Sequence, residues 1–162
     1  MPIQIGDRLP DATFMTMAAE GPKPITASEL FDGKTVALIA VPGAFTPTCS
    51  ARHLPGFKER AAELKARGVD RIACVSVNDA FVMGAWAESQ GITDEVLLLA
   101  DGSGDFTRAI GLDMDASKFG MGVRSQRYSM LVRDRKVEAL NLEAPGKFNL
   151  SSAEHLLEQL AA

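Results

Sequence analysis

Cys49 follows Thr46-Pro47-Thr48 at the polar exit of an apolar run, TVALIAV over 35–41, and opens a helical pattern. A thiol that only fills a core would sit inside such a run. With Thr48 as N-cap, Cys49 falls in the first helical turn. Backbone N–H groups there lack partners and the helix dipole is positive, so thiolate is favoured over thiol. Ionisation alone achieves little. A free thiol is already a few per cent ionised at pH 7, so full ionisation gains only about 30-fold. Enzymes commonly reach ~10⁶-fold or more. Donors fixed in advance must therefore meet the charge moving onto a leaving group. Thr46, three residues before Cys49, can place its hydroxyl on the sulfur or on an atom bound to it. Pro42 and Pro47 restrict the loop and shield the sulfur from water, and Pro47 and Thr48 are expected to line the pocket. The competing reading is a small apolar cysteine in a Pro-rich loop.

His53 lies four residues after Cys49 and shares its helical face. In the kinked stretch His-Leu-Pro-Gly-Phe, a structural hydrogen bond is expected of it before a chemical role. Arg52 reads as a solvated helix side chain. Cys74, mid-strand in RIACVSV, reads as a buried small hydrophobe. Trp86 and Phe81 sit on the helix after that strand, with core packing as the default and a dimer contact as the alternative. Two His and two Cys spread over the chain do not make a zinc spacing. Gly102-x-Gly104 lacks the third glycine of a dinucleotide loop, and there is no GK[ST] phosphate loop. No metal or organic cofactor is expected.

These residues need elements to place them. The first 20 residues suggest an irregular start or small hairpin. Thr26-Ala27-Ser28-Glu29 matches a capping box, and Gly33 can end that short helix. Strands buried on both faces are expected over 35–41, 71–77 and 95–100. A helix is expected over 49–67, kinked at Pro55 and stopped by Gly68. Asn78 or Asp79 caps a helix to about Gln90, and 103–110 forms a short helix. Strands over 127–132 and 137–142 flank a hairpin turn, and Ser151-Ser152-Ala153-Glu154 caps a final helix. Strand and helix alternate before a closing hairpin, which is an α/β fold with a mixed central β-sheet flanked by helices.

The chain has 162 residues, the size of one domain, here taken as 1–162. A 46% hydrophobic and 23% charged composition is that of a soluble globular protein. With a net charge of -4 and no basic block, neither nucleic acid nor membrane is expected as partner. The N-terminus lacks a signal pattern, and two cysteines make no disulfide scaffold. A reducing compartment, the cytoplasm, is expected.

Pro42-x-x-x-Thr46-x-x-Cys49 resembles the active-site signature of the peroxiredoxins, thiol peroxidases of thioredoxin-like fold. Val41 to Ser50, His53-Leu54-Pro55-Gly56-Phe57, Cys74 to Asp79, Phe81-Val82-Met83 and Gln126 to Leu131 resemble the type II, peroxiredoxin 5-like branch, and the similarity spans about 3–160. The resemblance implies that Cys49 attacks a peroxide O–O bond to give a sulfenic acid, that Thr46 bonds peroxide and thiolate, and that Pro42 shields the site. It implies that Arg127 is the site cation, which sequence alone does not pick from 17 Lys and Arg residues. Arg124, its nearest rival, is then an ordinary surface residue, and Phe119 lines the pocket mouth. Some members close a disulfide through a cysteine after the final hairpin. None lies there in this chain, and Cys74 is not expected to serve. An external thiol is therefore expected to reduce Cys49, glutathione with glutaredoxin first and thioredoxin next. A homodimer is implied, with Phe45 and Phe81 as apolar candidates for its contact. Two other readings stay open: a non-catalytic redox sensor or chaperone-like subunit, and a thioredoxin-like disulfide reductase. The last is disfavoured because Thr46 stands where Cys-x-x-Cys carries its first cysteine.

Overall fold

Residues 2–161 are described by a computed structural model. In chain order the elements are β1 (Thr13–Ala18), β2 (Gly21–Thr26), α1 (Ala27–Phe31), β3 (Thr35–Ala40), a π turn (Cys49–His53), α2 (Leu54–Glu59), α3 (Ala61–Ala66) and β4 (Arg71–Ser76). Then come α4 (Ala80–Ser89), β5 (Leu97–Ala100), α5 (Asp105–Ala109), β6 (Asp113–Asp115), a 3₁₀ turn (Ser117–Phe119), β7 (Val123–Ser125), β8 (Tyr128–Arg133), β9 (Lys136–Leu142) and α6 (Ala153–Ala161).

Period-2 alternation sends the side chains of β3 to opposite faces of the sheet. Val36, Leu38 and Ala40 enter one apolar layer, with Leu30 and Phe31 of α1 and Phe106 of α5. Ala37 and Ile39 enter the other, with Phe57, Leu64, Trp86 and Leu156 from α2, α3, α4 and α6. A strand buried on both faces belongs at the centre of a sheet. The order is β2-β1-β5-β4-β3-β8-β9, with β3, β4 and β5 parallel and the remaining pairings antiparallel. Each fully buried Leu or Phe in these layers contributes about 1.5–3 kcal/mol. The expected mixed sheet flanked by helices is what forms; a hairpin forms near the start, but over 13–26, with its second strand, β2, beyond the first 20 residues.

The expected continuous helix over 49–67 does not form. Helical structure begins at Pro47, and Thr48 is itself helical (φ -67, ψ -38) with no capping bond from its side chain. Pro55 lacks an N–H, and its ring crowds the carbonyl four residues earlier. The chain answers with a wide turn in which Leu54 N–H donates to Cys49 O, five residues back. A second break falls at Arg60 (φ -99, ψ 9), between α2 and α3. At the final helix the cap is Ser152, whose Oγ accepts from His155 N–H at 3.2 Å, rather than Ser151. The β6–β7 ribbon was not expected, because strands of three residues with mixed burial carry too little pattern.

At the far end of the β8–β9 hairpin, Asp134 (φ 47) and Arg135 (φ 71) adopt the left-handed conformation of a two-residue turn. Arg135 is buried there. It donates to Leu9 O (3.0 Å) and Ser28 Oγ (3.2 Å), and pairs with Asp11 and Asp32. This lock fixes the N-terminal segment to the sheet.

Candidate active site

The site lies at the carboxyl ends of β3 and β4, where open α/β sheets place their ligands. Three loops converge there. Val41 N–H donates to Val75 O (3.2 Å), and Ala44 N–H donates to Asn78 Oδ1 (3.0 Å), which also accepts from Ser76 Oγ. Phe45 takes φ 65 at the tip, an uncommon conformation for a bulky residue, and is left exposed. Thr46 then opens the helix, its carbonyl accepting from Ser50 N–H at 3.0 Å. Cys49 is thereby in the first turn and fully buried.

Thr46 Oγ1 lies 2.8 Å from Cys49 Sγ and 2.7 Å from Gly43 O. A hydroxyl has one proton, so Thr46 can donate to a thiolate or to Gly43 O, but not to both. Arg127 arrives by strand register. Tyr128 pairs with Ala40, so Arg127 stands just beyond the end of the ladder, beside the loop that leaves β3. Its Nη2 donates to Cys49 Sγ at 3.0 Å, and its Nη1 meets His53 Nδ1 at 2.8 Å. Arginine only donates, so Nδ1 must accept and the ring proton sits on Nε2. Nε2–H donates to Ser151 O at 2.9 Å. Burial, and next the Arg127 charge, push His53 from 6.5 down to about 3, against the opposing pull of Ser151 O and Glu143. The imidazole is thus a neutral acceptor that orients the guanidinium.

The surrounding segment supplies walls. The Phe148 ring lies tilted beside His53 (centroids 5.0 Å) and within reach of both Arg52 (4.6 Å) and Arg127 (5.9 Å). A hollow of about 620 Å³ opens beside Arg127, lined by Pro42, Thr48, Met114, Phe119, Gln126 and residues 143–147. Its lining is mostly apolar, with Arg127 as the cation that joins it to the sulfur.

Comparison with known proteins decides what this arrangement is. The Redoxin family model matches residues 4–157. The chain is 57% identical to peroxiredoxin-2E-2, chloroplastic, of Oryza sativa subsp. japonica over 163 residues, covering 98% of this chain and 72% of that one. It is 48% identical to peroxiredoxin-2B of Arabidopsis thaliana, covering 98% and 99%. Among solved structures, reduced Prx3 of Vibrio vulnificus in complex with H2O2 superposes with a TM-score of 0.93 at 53% identity, covering 98% and 99%. The chain belongs to the type II peroxiredoxins.

As a peroxiredoxin it is a thiol-dependent peroxidase of thioredoxin-like fold. Of the residues singled out from sequence, Cys49, Thr46 and Arg127 meet within hydrogen-bond distance. Pro42, Thr48 and Phe119 line the hollow, Phe119 with 77% of its surface exposed. Pro47 does neither. It occupies the first helical position, faces solvent and is absent from the lining, because its fixed φ serves the helix start. Arg124 is not an ordinary surface residue either. Half-buried, it donates to Met121 O (2.9 Å) and Val77 O (3.2 Å), tying the β6–β7 ribbon to the exit of β4. Its Nη1 approaches Gly43 so closely that a Cβ there would lie 3.3 Å from it.

Cys74 is fully buried on β4, opposite Ile39. Burial, and next a charge at Cys49, push its thiol well above the ordinary range. Trp86 is core, its Nε1–H donating to Ser50 Oγ at 2.9 Å, while Phe81 is exposed. Among the described residues no group of three or more His, Cys, Asp and Glu side chains is placed to hold a metal ion. No helix of the described residues is long and apolar enough to cross a membrane.

One residue escaped the sequence reading. Glu143, just past β9, is buried, and its backbone N–H donates to Arg127 O at 3.0 Å. Its carboxylate accepts from Asn149 N–H (3.0 Å), Leu150 N–H (2.7 Å), Ser151 N–H (2.8 Å) and Ser151 Oγ (2.7 Å). Burial raises its pKa, but these donors outweigh it and hold the group below the ordinary 4.5. Residue type hides it: Asn141 and Glu143 are buried while Leu142 between them is exposed, the reverse of what polarity suggests, so the inward carboxylate and its need for donors show only in the fold.

Proposed function

We propose that Cys49 is the peroxidatic cysteine. Its thiolate sulfur attacks one peroxide oxygen, the O–O bond breaks, and the departing alkoxide or hydroxide leaves with the electron pair and takes a proton. Cys49 becomes a sulfenic acid and the hydroperoxide becomes an alcohol or water. Arg127 bridges sulfur and peroxide oxygen, with charge-assisted bonds that strengthen as negative charge develops on the leaving oxygen. Thr46 turns its single proton from Gly43 O to the sulfur or the peroxide. Pro42 and Thr48 keep bulk water from the reacting pair. The observation that carries this reading is the pair of donors on one buried sulfur, Thr46 Oγ1 at 2.8 Å and Arg127 Nη2 at 3.0 Å.

Hydrogen peroxide and alkyl hydroperoxides are the proposed substrates. The Vibrio vulnificus relative crystallised with H2O2 supports the former, and Met114, Phe119 and Pro145 in the lining support an apolar tail. An external thiol then displaces water from the sulfenic acid to form a mixed disulfide. A second thiol releases Cys49 and leaves as the disulfide. Glutathione with glutaredoxin is the favoured donor and thioredoxin the next. The buried, mid-strand Cys74 speaks against an internal route. The exposed Phe45 and Phe81 favour a homodimer, and a reducing compartment, the cytoplasm, suits a free thiol. A steady-state assay crossing hydrogen peroxide and cumene hydroperoxide with each donor tests the reading. Peroxide loss matched one for one by disulfide formed supports it, and a single oxidation without turnover contradicts it.

A further inference from the structure

Arg127 can aim Nη2 at the sulfur only while something holds the rest of a long, flexible side chain. His53 Nδ1 does that, and His53 is fixed in turn by donating Nε2–H to Ser151 O. Ser151 lies in an irregular segment ahead of α6, where no ladder fixes its carbonyl. What fixes it is Glu143. The carboxylate accepts three consecutive backbone N–H groups, 149–151, and the Ser151 hydroxyl, while the Glu143 backbone N–H holds Arg127 O. One residue therefore grips both ends of the relay. A buried carboxylate carrying four donors from one loop is a costly arrangement unless all four are made, so it specifies a single loop conformation.

We propose that Glu143 is a positioning residue for peroxide reduction: by holding residues 149–151 it keeps Ser151 O on His53, and through His53 keeps the Arg127 guanidinium on the Cys49 sulfur. Its carboxylate bonds go to residues 149–151 and none goes to the sulfur. The inference rests on the reading of Cys49 and Arg127 given above. Without the carboxylate, residues 149–151 are free to move, His53 loses its acceptor, and Arg127 samples orientations that miss the sulfur.

The test is a double-mutant cycle on the oxidation step, followed by stopped-flow after mixing reduced protein with hydrogen peroxide. Glu143→Gln keeps the shape but sets an amide donor against backbone donors, and it should slow oxidation about 10-fold, the scale of a sub-ångström misplacement. In an Arg127→Gln background the same substitution should change the rate by less than about twofold, because the side chain it positions is gone. A merely structural role would instead lower both backgrounds alike. Glu143→Asp, which keeps the charge but reaches fewer donors, provides the same cycle should the amide variant fail to fold. The His53 Nε2–H proton, hydrogen-bonded in the parent, should exchange faster in either variant. A rate within twofold of the parent in folded Glu143→Gln, or an equal loss in the Arg127→Gln background, would overturn the proposal. A near-parental rate in Arg127→Gln alone would instead refute the underlying reading, and this inference with it.

Discussion

Lowering the pH isolates His53. The ring is held neutral in the fold, at about 3 against an ordinary 6.5, because burial and the Arg127 charge both oppose protonation. A protonated Nδ1 would also face Arg127 Nη1 as donor against donor at 2.8 Å. The unfolded chain protonates the ring near 6.5. Below that pH the unfolded state binds one proton more than the folded state, so stability falls as pH falls, by ~1.4 kcal/mol per unit. The loss begins near pH 6.5 and ends only near 3. Between pH 7.5 and 5 it amounts to about 2 kcal/mol, or roughly 4–8 °C in Tm for a chain of this size. Carboxylates with an ordinary value of 4.5, such as Glu143 and Glu95, add their own losses mainly below this window. Urea titrations at pH 7.5, 6 and 5 measure the slope, and nitrogen NMR of the imidazole follows the native ring. The expected native spectrum keeps the Nε2–H tautomer throughout that range. A His53 that titrates near 6.5 in the folded protein, or a stability flat from pH 7.5 to 5, would refute the neutral-acceptor assignment.

Other substitutions separate the roles. Arg127→Gln should slow the peroxide step by about 10²–10³-fold, the scale for one transition-state donor, with the fold intact by circular dichroism; a near-parental second-order rate would contradict its role. Cys74→Ala should keep most of the turnover with glutathione and glutaredoxin, and an inactive variant in that assay would indicate an internal disulfide route. Arg135→Met should cost about 1–3 kcal/mol in urea unfolding, through lost bonds to Leu9 O and Ser28 Oγ. Its oxidation rate should be unchanged, since the lock lies at the opposite end of β8; unaltered stability would show the lock to be unimportant.

Cys49 and Thr46 were legible because their relation is local: three residues apart across a helix start, with a proline between them. The central strands were legible because runs such as TVALIA admit few other placements. Arg127 was not legible from pattern alone, since it reaches the sulfur through the pairing of Ala40 with Tyr128, 88 residues apart. The broken helix shows a different limit. Pro55 announces a disturbance, but whether the chain kinks or widens depends on what packs around it. Here the wider turn lets Cys49 and His53 both face Arg127. Arg124 and Glu143 look like surface charges in sequence. Apart from the Ser151 hydroxyl, their partners are backbone groups of Val77, Met121 and residues 149–151, and main-chain acceptors and donors leave no mark in side-chain identity.

On the proposed reading one sulfur, that of Cys49, takes the oxygen from peroxide. Reduced protein should be mixed with one equivalent of hydrogen peroxide in the presence of dimedone, which traps sulfenic acids, and its intact mass and peptide map recorded. A single dimedone adduct on Cys49, an unmodified Cys74, and no adduct in Cys49→Ser are expected. An adduct on Cys74, or undiminished peroxide consumption by Cys49→Ser, would contradict it.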